Sequence, residues 1–183
     1  MTIHAGARPR LVPDAPLPPY SFVPGRHPHP VSDPAGHLFG KPPERPAAPD
    51  PDRWQESRAF LHGVDLFNHG YYWEAHEAWE SLWHACGRSG LAADFLKGLI
   101  KLAAAGVKAR EGRPEGVRRH ARRAHELLEQ TRARLGPDVR RYFGLDLAEL
   151  LAAAAHARGG GAASDAADHA PVRIVFPFQL RPE

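Results

Sequence analysis

With 183 residues, 43% of them apolar and 25% charged, the chain has room for one domain with tails and not for two. No apolar run approaches the roughly 18 residues of a membrane span, and the lone Cys86 excludes a disulfide scaffold. The formal net charge of +3 is concentrated, because residues 108–141 alone hold eleven basic and five acidic side chains.

Fourteen of the 19 prolines fall within residues 1–52. Proline removes a backbone donor and disfavours helix in the residue before it, so this stretch is predicted to be an extended arm. Its composition suits a solvated tail. The alternative is docking through Tyr20, Phe22, Val23, Leu38 and Phe39. The N-terminus lacks the apolar stretch of a signal peptide, and one unpaired cysteine suits a reducing compartment. A cytoplasmic location with no membrane partner is therefore expected.

Helical periodicity begins after Asp52, read as an N-cap with Gln55 as its capping-box partner. Ala59, Phe60, Gly63, Val64, Leu66 and Phe67 share one arc of that first helix, and Asn68-His69-Gly70 ends it. A second helix is predicted at about 72–85, a third at 91–110 and a fourth at 115–135. After a short turn around 139–143, Asp146 caps a fifth over 147–158, which Gly159-Gly160-Gly161 breaks. Only 172–176 (VRIVF) resembles a strand. The expected fold is all-α: a compact five-helix bundle of antiparallel helical hairpins over 53–158. The Pro-rich arm (1–52) precedes it, and a Gly-rich linker with an irregular tail (159–183) follows.

The densest chemistry lies on the second helix. At helical spacing, Trp79, Trp83, Ala75, Ala78 and Leu82 form its apolar side, and His76, Glu77 and Glu80 form a ridge beside it, flanked by Trp73. Residues three and four apart meet on a helix surface, so this ridge is a compact set. Lys97 and Lys101 make a matching stripe on the third helix. Two readings compete. One is a non-enzymatic binding module. Its groove would be lined by Tyr72, Trp73, Trp79 and Trp83, with Arg118 and Arg122 on the rim, because aromatic and arginine side chains anchor interfaces. The other is a small-molecule or metal-dependent site, hydrolytic in type. There His76 is ligand or general base, Glu77 and Glu80 are ligands or acid–base partners, and Lys97 or Lys101 clamps an anion.

No cofactor is expected, and no tightly bound transition metal. One helix supplies at most three ligands, and the lysine pair repels a cation. Of the histidines that could add a fourth ligand, His62, His120 and His125, only His120 borders the core side of its helix. Glu126 and Glu129 interrupt the arginine face of the fourth helix, and no aromatic accompanies it. The partner expected is a protein or small molecule rather than nucleic acid. Cys86 follows a helix C-terminus, where a thiolate is disfavoured, and reads as inert.

Two stretches carry a resemblance. They are Leu66-Phe67-Asn68-x-Gly70-x-Tyr72-x-Glu74-Ala75-His76-Glu77-x-Trp79-Glu80-x-x-Trp83 and Phe95-Leu96-x-Gly98-Leu99-Ile100-x-Leu102-Ala103-Ala104-Ala105. Together they resemble the prokaryotic domain of unknown function 309 family over about residues 57–135. The resemblance implies a small all-α bundle and a site at the Glu-Ala-His-Glu segment, with no reaction attached. Lys97 and Val107 stand where members often carry glutamine and histidine, which argues against a metal or catalyst shared with the family. Gly70-x-Tyr72-x-Glu74-Ala75 is also similar to the turn of a tetratricopeptide hairpin.

Overall fold

In the computed structural model, residues 8–162 and 169–183 are described. Five helices carry the fold: α1 (Arg58–Asn68), α2 (Tyr72–Ala85), α3 (Leu91–Arg110), α4 (Pro114–Leu135) and α5 (Leu147–Arg158). Two two-residue strands, β1 (Arg141–Tyr142) and β2 (Leu145–Asp146), form a minimal antiparallel hairpin between α4 and α5. The all-α bundle read from the sequence is the fold observed.

Each helix packs on the next. The pairing of residues gives the direction: Gly106 on α3 lies against Tyr72 at the start of α2, whereas Lys97 reaches Trp83 near its end. On the other side Gly98 lies against Leu128 and Gly116 against Lys108. Both neighbours of α3 are thus antiparallel to it. Gly106 is needed for this approach, since a Cβ there would lie 2.5 Å from the Tyr72 ring. Phe60, Phe67, Tyr72, Trp79, Phe95 and Leu128 are fully buried between the helices, each contributing about 1.5–3 kcal/mol of apolar burial.

Helix ends follow local chemistry. The Asp146 carboxylate accepts from the Ala148 and Glu149 amides and starts α5 as predicted. Asp52 does not start α1. Asp50 instead caps a kinked 3-10 segment, Pro51–Glu56, and Ser57 caps α1 by accepting from Phe60 N–H. The reason is tertiary: the Trp54 indole packs onto Gly144 of the hairpin turn, where a Cβ would meet it at 2.5 Å.

That hairpin was read only as a turn. Phe143 and Gly144 both have positive φ, 52° and 70°, as a type I′ connection demands. Phenylalanine is costly there, but its ring is buried, stacked on Phe95 at 5.3 Å. Residues 172–176 form no strand.

The arm is irregular as expected but not a solvated tail. Val12, Phe22 and Val23 are buried, two of them among the residues read as docking candidates, while Phe39 is half exposed. Two buried carboxylates hold it. Asp65 on α1 accepts from the Leu11 and Val12 amides at 2.7 and 2.8 Å and faces Arg10 at 3.4 Å. Glu74 on α2 accepts from Phe22 N–H at 2.8 Å and the Ser21 hydroxyl at 3.3 Å. The tail is held likewise: the Asn68 amide exchanges two 2.8 Å hydrogen bonds with the Leu180 backbone, and Phe176 stacks on Phe67.

Candidate functional site

The ridge forms. The 3.6-residue period of α2 places His76, Glu77 and Glu80 on one surface, all half-buried, with a ligand atom from each lying within 4.8 Å of the others. His76 Nδ1 stands 3.2 Å from a Glu77 oxygen, so the imidazole is already oriented by a carboxylate. Positions 76, 77 and 80 span about one helical turn, so one helix can present three ligand atoms together.

The lysines do not close on this tripod. Lys97 turns its ammonium over the Trp83 ring, 5.5 Å from the centroid, a cation–π contact that holds it away from the acids. Among the described residues neither Lys97 nor Lys101 has an ion pair within 4.0 Å to Glu77 or Glu80. Lys101 is half-buried on α3. Its charge acts on His120 of α4, whose imidazole is pushed down to about 4. Burial is the main cause there, followed by the charges of Lys101, Arg119, Lys108 and His76. A neutral imidazole at pH 7 can accept a proton or bind a metal.

The aromatic groove does not form. Tyr72 is 1% exposed and accepts from the Val175 amide at 2.9 Å, with burial pushing its phenol up to about 12. Trp79 is 0% exposed, its indole against Gly63. Both belong to the core because close helix approach at Gly63 and Gly106 leaves no groove between them. Trp73 is half-buried under the arm, edge-on to Phe22 and His29 at 5.3 and 5.5 Å. Trp83 remains half-buried, with Lys97 and Arg88 over it. Arg118 and Arg122 are exposed, paired with Glu115 and Glu126 respectively.

Of the other histidines considered, His62 lines a separate cavity of about 950 Å³ between the arm and α1, together with His37. Burial lowers the pKa of both. Burial raises the Cys86 thiol, in keeping with an unreactive cysteine. The residue most clearly missed is Glu74. It is 6% exposed, and burial pushes its carboxyl up to about 7, near the pH at which acid–base groups work. The signal was present in the Glu-Ala-His-Glu spacing, which turns Glu74 away from the ridge and toward the arm.

Among the described residues no helix is long and apolar enough to cross a membrane. No curated protein matches the chain. A family model does match, that of a domain of unknown function, DUF309, over residues 60–120. This span begins within α1 and ends at His120 in α4, so it takes in the whole ridge, both lysines and His120. Residues 60–120 are thus similar to the DUF309 domain of unknown function.

Proposed function

We propose that the α2–α4 face is a small-molecule site organised around an exchangeable divalent cation held by His76, Glu77 and Glu80. The observation that carries this reading is the convergence of one imidazole and two carboxylates within 4.8 Å on a face where no lysine neutralises them. Two carboxylates balance a divalent charge, and the mixed nitrogen–oxygen set suits zinc, manganese or iron(II). Three ligands from one half-buried helix face leave open positions, as catalytic rather than structural sites do, and bind weakly enough for the ion to exchange. That is compatible with the expectation that no metal is held tightly.

The remaining parts take roles around the ion. A cation held there would acidify its bound water, His120 would stand by as a neutral hydrogen-bonding imidazole rather than a strong base, and Lys101 would offer its ammonium to an anionic group of the ligand. Lys97 acts indirectly, by keeping Trp83 in place beside Glu80. The non-enzymatic module built on the tryptophan groove loses support, because Tyr72 and Trp79 are core residues.

Isothermal titration of the full chain with Mn²⁺ and Zn²⁺ tests the reading. One site with a dissociation constant of about 1–100 μM is expected, lost by at least about tenfold in His76→Ala and in Glu80→Gln. Equal binding by wild type and both variants would overturn it.

A further inference from the structure

The arginines of α4 do not all serve its solvated face. Lys108, Arg113, Arg118, Arg119, Arg122 and Arg158 line one cleft of about 880 Å³ where the end of α3, the start of α4 and the end of α5 meet. Glu115 is the one acid in that lining. Neighbouring carboxylates answer part of the charge. Glu111 takes Lys108 at 2.7 Å and Arg113 at 3.1 Å, Glu115 takes Arg118, and Glu126 lies 3.8 Å from Arg122. Counting those three acids against the six cations leaves the cleft at +3.

Arg119 and Arg158 are the surplus. Both are exposed, and neither has an ion pair or hydrogen bond among the described residues. Like charges gathered in a concave site repel one another, and the strain is relieved by a bound anion. The positive field reaches the neighbouring imidazole, where Arg119 and Lys108 are among the charges that hold His120 neutral.

We infer that this cleft is a binding site for a small polyphosphorylated anion, one carrying a diphosphate or triphosphate group. Three arguments select that class. Five of the six cations are arginines, whose planar fork matches phosphate oxygens in pairs. The volume is that of a small-molecule site. No aromatic side chain lines the cleft to stack a nucleobase, and Glu126 and Glu129 break the basic track that a nucleic-acid strand would follow beyond it. The inference does not depend on a cation at His76, since none of the ridge residues lines this cleft.

The test is calorimetric titration of the full chain with sodium tripolyphosphate, with citrate and a single-stranded oligonucleotide as comparison ligands. Tripolyphosphate should bind at one site, more weakly at about 0.15 M salt than in dilute buffer, and at least about tenfold more tightly than citrate. The double variant Arg119→Ala/Arg158→Ala removes two exposed, unpartnered side chains, so it should keep the wild-type circular dichroism spectrum and melting temperature. It should lose at least about tenfold in affinity. Unchanged affinity in that variant, no binding at about 1 mM, citrate binding equal to tripolyphosphate, or oligonucleotide binding tighter than either would each overturn the inference. Binding that survives His76→Ala would support it whatever becomes of the cation site.

Discussion

Burial moves Glu74 and His120 in opposite senses on the pH axis. Glu74 is raised from 4.5 to about 7, so between these values the folded chain keeps a proton that the unfolded chain has lost. Its contribution to stability is complete below pH 4.5 and disappears as pH rises through 7, a change of about 3 kcal/mol at most. His120 falls from 6.5 to about 4. Over that window the unfolded chain binds the extra proton, and stability rises with pH. The two trends oppose each other in the wild type and separate in variants. Glu74→Gln keeps an acceptor for the Phe22 amide and removes the titration. Urea unfolding between pH 5 and 8 should show its stability holding or rising where the wild type declines. His120→Gln should do the reverse below pH 6.5, steepening the decline. Parallel curves for wild type and Glu74→Gln would contradict the placement of Glu74.

At the scale of elements, the helices were legible and what covers them was not. Bounds of α2, α3 and α5 follow from Gly70, Gly90, Gly112 and the Asp146 cap, which are local signals. The start of α1 was misread because Asp52 and Gln55 have capping-box spacing, while Trp54 on Gly144 draws that segment into a 3-10 turn. The hairpin was missed because Phe143 is not a residue that favours positive φ. Docking of the arm was undecidable from composition. Asp65 lies opposite the apolar arc of α1, where periodicity puts solvent, and it is the arm that buries it. A charge removed there leaves two amides and Arg10 without their partner. Asp65→Ala should cost about 3 kcal/mol and make Arg26 and Lys41 in the arm cleave faster with trypsin. Cleavage at the wild-type rate would show that the arm is held by other contacts. The site divides the same way. The His76/Glu77/Glu80 ridge is a property of one helix and could be read from spacing. That Lys97 would choose Trp83 over the carboxylates depends on how α2 and α3 register.

Across the whole molecule, the arm and tail are parts of the bundle. The Ser21 amide donates to the Pro171 carbonyl at 2.9 Å, so the two segments join each other over α1 and α2. Val23, Phe176 and Leu180 are all buried in this layer. The DUF309 stretch of 60–120 therefore lacks much of its own cover. A fragment of residues 60–120 should melt without a cooperative transition, since its apolar seats for the arm, tail and α5 would face water. A sharp melt of that fragment would contradict this dependence.

A cation held by His76, Glu77 and Glu80, as proposed, would sit on the side of the bundle that also carries Lys101 and His120. Paramagnetic broadening by Mn²⁺ in an amide nuclear magnetic resonance spectrum of the full chain reads it at residue resolution. At substoichiometric Mn²⁺ broadening should be centred on residues 76–80, extend to 101 and 120, and be absent in His76→Ala. Broadening spread over other acidic surface residues, or centred anywhere else and unchanged in that variant, would contradict it.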